Sequence, residues 1–266
     1  MGNDADEIRN WWSTSIIDMS PGKISFRVNE IENLIGNISF PQMIWMMVRG
    51  GLPTNEEASL FEAALVAGVD HGPQAPSIAA ARMAATCGVG INNAMATGIN
   101  VLGDIHGGAG EQCAELFYEI SLIIDNGATF EKAIQEALRE WESGNGKIIS
   151  GFGHRFHKPI DPRAPRLLEL VRLAAKDNIV SGKYADIAEA IQSHLSIKKD
   201  IAINIDGATA VIFCELGFPA PLSRGLFCLS RSVGILSHAW EQIEQGGRNK
   251  GPMPPKYLPK YILKNT

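Results

Sequence analysis

Apolar residues recur every three to four positions along most of the chain, with polar residues on the intervening faces, and that spacing reads as helix. Thr54-Asn55-Glu56-Glu57 has the form of a capping box ahead of the amphipathic run Ala58 to Val66. Ser77 is placed to cap a helix through Ile78 to Ala85, whose small residues suit close packing. Residues 111–125 and 129–143 read as two helices separated by Asn126-Gly127. Asp161-Pro162 supplies an N-cap and an N1 proline ahead of Leu167 to Leu173, and Tyr184 to Leu195 and Arg224 to Glu244 complete the set. Strand patterns are short: Ile24-Ser25-Phe26-Arg27-Val28 alternates, and Ile201 to Ile205 is a brief apolar run. The pattern predicts an all-α fold with one small hairpin, and it lacks the β–α alternation of a Rossmann sheet.

Composition narrows the classes. The chain has 266 residues, 45% of them hydrophobic and 20% charged, enough for one large domain or two small ones. A net charge of -5 argues against a nucleic-acid surface, which needs a basic excess. Cys87, Cys113, Cys214 and Cys228 sit among apolar neighbours without a C-x-x-C pair, so reduced buried thiols are expected and a zinc site is not. The acidic N-terminus Met1 to Glu7 does not have the form of a secretory signal. No apolar run reaches the roughly 18 residues of a membrane span. A soluble, cytoplasmic protein without a membrane partner is expected.

Four loops combine glycine with chemistry-bearing side chains: Val69-Asp70-His71-Gly72-Pro73, Gly103 to Gly110 around His106, Gly151-Phe152-Gly153-His154-Arg155, and Asn204-Ile205-Asp206-Gly207. Glycine lets a histidine approach a ligand closely, and histidine exchanges protons near neutral pH. Arg163 and Arg231 suit paired hydrogen bonds to carboxylates. Asp206 has apolar neighbours, and desolvation would raise its pKa toward that of a usable base; it could equally cap the helix beginning at Ala208. His154 and His157 could be read as a metal pair. Their loop need not turn both one way, and no carboxylate cluster stands beside them, so no metal is expected. His194 and His238 lie in helices and read as structural, and the stretch 246–255 reads as a mobile arm. From the residues alone, the reading is a mostly helical protein acting on a carboxylated carbonyl compound.

The segment Gly151-Phe152-Gly153-His154-Arg155-Phe156-His157-Lys158-Pro159-Ile160-Asp161-Pro162-Arg163 closely resembles the G-[FY]-G-H-x-x-x-K-x-x-D-P-R signature of citrate synthase and its relatives. Asp70-His71, Ile105-His106-Gly107-Gly108-Ala109, Ile205-Asp206-Gly207 and Ser230-Arg231-Ser232-Val233-Gly234 resemble further segments of that family in the same order. The likeness covers roughly residues 22–245. It implies that Asp206 moves a proton at the acetyl methyl group and that His106 hydrogen-bonds the thioester oxygen as it becomes enolate-like. It implies that His154 exchanges a proton with the keto or hydroxyl oxygen of the other partner, and that His71, Arg163 and Arg231 hold that partner's carboxylates. Gly151, Phe152 and Gly153 would face the adenine of coenzyme A, and Lys198 and Lys199 its phosphates, unless the lysines are a solvated helix end. The family's large and small domains would correspond here to 1–110 with 211–266 and to 111–210, closing over substrate in a homodimer or higher homo-oligomer.

Two departures direct the expected activity. The length resembles citryl-CoA lyase and the citryl-CoA-cleaving module of ATP-citrate lyase rather than ordinary citrate synthase. The late cross-subunit arginine of many synthases is replaced by Lys250-Gly251-Pro252-Met253-Pro254-Pro255. The resemblance therefore implies cleavage of citryl-CoA to acetyl-CoA and oxaloacetate, with an accessory citryl-CoA synthetase as a possible partner. Condensation by a short citrate or 2-alkylcitrate synthase is the alternative, and a catalytically silent CoA-binding paralogue is a third.

Overall fold

The computed structural model describes residues 2–197 and 201–263. Its contacts divide the chain into two compact units, Met1–Glu62 and Ala63–Thr266.

The first unit begins with α1 (Gly2–Trp11) and an antiparallel meander of β1 (Ile17–Ser20), β2 (Lys23–Phe26) and β3 (Asn29–Glu30). The alternating run at 24–28 supplies β2, and the expected hairpin gains a third strand. The chain turns into β3 through Arg27 at φ 56°, whose guanidinium reaches the Met47 carbonyl at 2.5 Å. After α2 (Ile31–Leu34) comes α3 (Phe40–Arg49), started by a Ser39/Gln42 capping box and ended by Gly50 in the left-handed conformation; both devices satisfy helix-end groups. Trp45 packs edge-on against Phe61, with ring centroids 5.7 Å apart. The helix α4 (Asn55–Gly68) opens with the expected box. The Glu57 N–H donates to Thr54 Oγ1 at 3.1 Å, and the Thr54 N–H donates to the Glu57 carboxylate at 2.8 Å. The division between units falls inside this helix.

The second unit holds α5 (Pro76–Thr86), α6 (Ile91–Asn100), α7 (Ala109–Asp125), α8 (Phe130–Asn145), α9 (Arg163–Lys176), α10 (Lys183–Ser196), α11 (Ile205–Glu215) and α12 (Ala220–Glu244). Helices α5, α6 and α12 pack together over Ile78, Ala81, Ala94, Ile235 and Ala239. Alanine at three of these positions lets the backbones approach, as the small-residue run predicts. Helix α11 packs against α7, α9 and α10 and buries residues on every side, including Val211, Ile212 and Phe213. A helix apolar all round belongs in a core, and each such side chain contributes about 1.5–3 kcal/mol by leaving water. The all-α expectation holds. No helix among the described residues is long and apolar enough to cross a membrane.

Several local expectations need correction. Ser77 does not cap α5, which starts two residues earlier than expected, at Pro76 behind Ala75. Pro162 is the N-cap of α9 and Arg163 its first residue; the Asp161 carboxylate still accepts the Arg163 N–H at 3.2 Å. Ile201 to Ile205 forms no strand: Ile203 makes one bridge to Phe152, and Ile205 already belongs to α11. Only Cys113 and Cys214 are buried. Cys228 is half-buried and Cys87 exposed, because Cys87 ends α5 as its C-cap. The segment after α12 is tied at its start, where Asn249 and Lys250 donate backbone N–H bonds to Thr86 at 2.9 Å each.

Candidate active site

All the polar loops singled out in the sequence lie in the second unit. His71 stands between α4 and α5, His106 between α6 and α7, and His154 between α8 and α9. Arg163 opens α9, Asp206 sits in the first turn of α11, and Arg231 lies midway along α12. All six border one cleft of about 400 Å³. A neighbouring cavity of about 980 Å³ is lined by Gly151, Phe152, Gly153 and Trp141, and shares His154 and Asp206 with the cleft. The structure thus brings together every predicted site residue except Lys198 and Lys199, which lie outside the described residues.

His106 is oriented by the first turn of α5. The Ser77 backbone N–H donates to its Nε2 at 3.2 Å, and Ser77 Oγ lies 3.0 Å from the same nitrogen. An Nε2 that accepts a backbone N–H carries no proton, so the ring proton sits on Nδ1 and is available as a donor. Burial, assisted by the Arg231 charge, lowers the pKa of His106, favouring the neutral ring. The loop carrying it is anchored by Arg224, which pairs with Asp104 at 2.6 Å and with Glu111. Ser77 was read from sequence as a cap; its contact with His106 spans 29 residues, and no local pattern announces it.

His154 shows the opposite tautomer. Its Nδ1 accepts the backbone N–H groups of Phe156 at 3.1 Å and His157 at 2.9 Å. The neutral ring therefore holds its proton on Nε2 and is a hydrogen-bond donor there. Burial lowers its pKa, with His157 and Arg163 acting the same way against Asp161. The same turn carries His157 toward His154, with ring centroids 4.5 Å apart, and His71 stands 5.0 Å from His154 and 5.7 Å from His157. One ring nitrogen from each of the three lies within 4.8 Å of the others. The expectation that His154 and His157 need not face one way is overturned by those two backbone hydrogen bonds, which curl the loop on itself.

The two arginines are held differently. Arg163 forks onto Asp161, with Nε to Oδ1 at 3.0 Å and Nη2 to Oδ2 at 2.9 Å. Asp161 is only 2% exposed and also accepts the Ile205 N–H at 3.2 Å, so one carboxylate fixes Arg163 and the start of α11 together. Burial pushes the Asp161 pKa up, but the hydrogen bonds from Arg163 and Ile205 outweigh it and hold the group below its ordinary value. Arg231 is 5% exposed. Its Nε donates to the Gly68 carbonyl at 3.1 Å, and its guanidinium lies 4.8 Å over the Phe227 ring. Burial lowers its pKa against the opposing charges of Asp206 and Asp70. The Asp-x-Arg spacing was visible in the sequence; that Asp161 reaches α11 was not.

Asp206 does not cap α11. Asn204 is the cap, its Oδ1 accepting the N–H groups of Asp206 at 2.9 Å and Gly207 at 3.2 Å, which leaves the Asp206 carboxyl free to border both cavities. Burial raises the pKa of Asp206 against the lowering charges of Arg231 and Arg163. Asn204 also donates from its backbone to Gly151 O at 3.0 Å and from Nδ2 to Gly153 O at 2.5 Å. The glycine loop and the aspartate turn are therefore one tied unit. Gly151 has φ +88°, and a Cβ there would lie 2.5 Å from Cys113 Sγ and 2.9 Å from Gly207 Cα; only glycine meets both demands.

His238 is more than packing. Its Nε2 lies 3.3 Å from Asp70 Oδ2 and its Nδ1 3.2 Å from Arg82 Nη1, and Asp70 Oδ2 accepts the Gly72 N–H at 3.1 Å. This chain of contacts fixes the turn that presents His71. Chemically, the site combines neutral imidazole donors, two guanidinium groups and a carboxyl of raised pKa, an arrangement suited to moving protons at a carbonyl compound that bears carboxylates.

The family described as citrate synthase, C-terminal domain, matches residues 52–253. A citrate synthase of Saccharolobus solfataricus is 30% identical over 213 residues, covering 79% of this chain and 54% of the synthase. The chain spans about half the length of the citrate synthases it matches. Among solved structures, citryl-CoA lyase from Hydrogenobacter thermophilus superposes with a TM-score of 0.83 at 30% identity, covering 96% of each chain. ATP citrate lyase from Methanothrix soehngenii, solved with citrate and coenzyme A, has a TM-score of 0.78 at 20% identity over 100% of this chain and 45% of its own. That last likeness is one of fold.

Proposed function

The chain belongs to the citrate synthase family, and from that premise we propose that it is a citryl-CoA lyase, cleaving citryl-CoA to acetyl-CoA and oxaloacetate. The observation that carries this reading is the end-to-end likeness to a citryl-CoA lyase, 96% of each chain, with the cleft intact. His106 presents Nδ1–H to the thioester oxygen and stabilises the enolate that forms when the carbon–carbon bond breaks. Asp206, whose pKa burial raises, delivers in its protonated form the proton that turns the enol carbon into the acetyl methyl group. His154 takes the proton of the hydroxyl oxygen that becomes the ketone, and His71, Arg163 and Arg231 hold the carboxylates in register. The 980 Å³ cavity takes coenzyme A, with Gly151, Phe152 and Gly153 at its adenine and Lys198 and Lys199 at its phosphates. In this reading, residues 111–210 act as the small domain, two or more copies assemble, and an accessory synthetase supplies citryl-CoA.

One observation favours the synthase reading. To take a hydroxyl proton, His154 must offer a bare Nε2, whereas its Nδ1 contacts place the proton on Nε2. In that state the ring is ready to donate to a ketone oxygen, as condensation requires. The same residues serve both directions, because one transition state is stabilised either way.

The test supplies purified protein with citryl-CoA and follows oxaloacetate through NADH oxidation by malate dehydrogenase. Oxaloacetate release that is absent in His106→Ala supports the lyase. No release, with free CoA formed from acetyl-CoA plus oxaloacetate, moves the assignment to a short synthase.

A further inference from the structure

One face of α12 grips the turn ahead of His71 residue by residue. Arg231, Gly234 and His238 follow at spacings of three and four, so they share that face. Arg231 Nε donates to the Gly68 carbonyl at 3.1 Å. A Cβ at Gly234 would overlap Val69 O and lie 3.1 Å from the Asp70 side chain, so glycine there lets the helix backbone come against the turn. His238 then meets Asp70, with Nε2 3.3 Å from Oδ2. Gly68, Val69 and Asp70 are thus held in order by one helix, and His71 is the next residue.

The tautomer of His238 is set from its other side. Arg82, on α5, can only donate, so His238 Nδ1 accepts from its Nη1 at 3.2 Å and the proton of the neutral ring sits on Nε2, facing Asp70. Arg82 is itself held by Glu241 and, at 2.9 Å, by Gln245 Oε1, both at the end of α12. Asp70 passes the constraint on. Its Oδ2 also accepts the Gly72 N–H at 3.1 Å, while its Oδ1 is buried without a partner. Burial pushes the Asp70 pKa up, but the bonds from His238 and from the Gly72 and His71 backbone outweigh it and hold the carboxyl below its ordinary value. An ionised acceptor makes the His238 bond one of the stronger, charge-assisted kind.

We propose that His238 is a positioning residue for the carboxylate end of the cleft: acting through Asp70, it holds His71 where the keto-acid portion of the substrate binds. That role rests on the proposed function, which gives His71 its carboxylate; the orientation of His71 by His238 does not. A group that holds a carboxylate equally in ground state and transition state changes KM and leaves kcat alone.

Glutamine and asparagine separate the two ring nitrogens. A glutamine amide reaches the place of Nε2 and can donate to Asp70, whereas asparagine reaches only as far as Nδ1. In the oxaloacetate-release assay, His238→Asn should raise KM for citryl-CoA about tenfold or more, as loss of a hydrogen bond to a charged group implies, with kcat within about threefold of the wild type. His238→Gln should restore KM to within about threefold. Calorimetry should show oxaloacetate binding weakened in His238→Asn and CoA binding unchanged. Nitrogen-15 spectra of histidine-labelled protein read the geometry apart from turnover. In the wild type, the neutral His238 ring should show a bare Nδ1 and a protonated Nε2, and the His71 ring signals should move in His238→Asn but not in His238→Gln. A protonated Nδ1 in the neutral wild-type ring, or His71 signals unmoved in His238→Asn, overturns the proposal whether or not the protein turns over. Equal KM in the two variants, a fall in kcat with KM unmoved, or CoA binding weakened as much as oxaloacetate binding overturns it as well. His71 signals that move in His238→Asn alone, from a protein that neither cleaves nor forms citryl-CoA, support the orientation of His71 and remove the proposed function instead.

Discussion

Replacing Gly207 by alanine strikes where the glycine loop and the aspartate turn meet. A Cβ at Gly207 would lie 2.4 Å from Gly151 O and 2.7 Å from Ile203 Cγ1. Real Cβ contacts do not fall below 3.0 Å, so the two segments must part by at least 0.6 Å, the difference between 3.0 and 2.4. Gly151 O is backbone and cannot swing aside; moving it stretches the 3.0 Å bond it accepts from the Asn204 N–H. Overpacking costs about 1–3 kcal/mol, and a weakened buried hydrogen bond adds about 1 kcal/mol. At roughly 2 °C per kcal/mol for a chain of this size, Tm should fall by about 4–8 °C. Because Asp206 is the adjacent residue, its carboxyl shifts with the backbone. A misplacement near 1 Å costs about a hundredfold in rate, so a loss of kcat of about tenfold or more is expected. Calorimetry and the oxaloacetate-release assay read the two effects on one preparation. A Gly207→Ala protein with native Tm and native kcat would refute the claim that the close approach of Gly151 and Gly207 positions the acid.

Asp206→Asn should nearly abolish turnover while leaving CoA affinity within a few-fold, measured by calorimetry. In the wild type, cleavage needs Asp206 protonated, so kcat for cleavage should be full below the raised pKa of that group and fall as pH rises through it; a kcat that rises with pH through that range would contradict the role. Ser77→Ala should cost only about 1 kcal/mol, roughly fivefold in kcat/KM, because the backbone N–H still fixes the tautomer of His106; a thousandfold loss would mean the hydroxyl, not the backbone, does so. Asp161→Ala breaks a buried pair and should destabilise by about 3–5 kcal/mol in denaturant melts. Since the Asp161 pKa is held down in the folded chain, that contribution is present above the unfolded value and lost as pH falls through the folded one, so mutant and wild type should converge in acid.

The helices were legible in the sequence because local signals set them: the Thr54/Glu57 box, the Asn126-Gly127 break and the small residues of α5 all depend on neighbours a few positions apart. The site residues on the glycine loops could be picked out for the same reason, since a family signature occupies consecutive positions. What escaped was long-range. Ser77 lies 29 residues from His106, and Asp161 lies 44 residues from the Ile205 N–H it accepts. Asn204, two residues earlier, took the capping role from Asp206, a choice that side-chain geometry makes and composition does not. The run Ile201 to Ile205 misled as a strand because a short apolar stretch fits a strand or the entry to a buried helix equally well.

The most direct test of the account incubates wild-type protein with citryl-CoA and quantifies every product by mass spectrometry. The account predicts acetyl-CoA and oxaloacetate in equal amounts, with no free CoA, and neither product from His106→Ala or Asp206→Asn. Free citrate and free CoA in place of acetyl-CoA would contradict it, because the thioester, not the carbon–carbon bond, would then be what the cleft breaks.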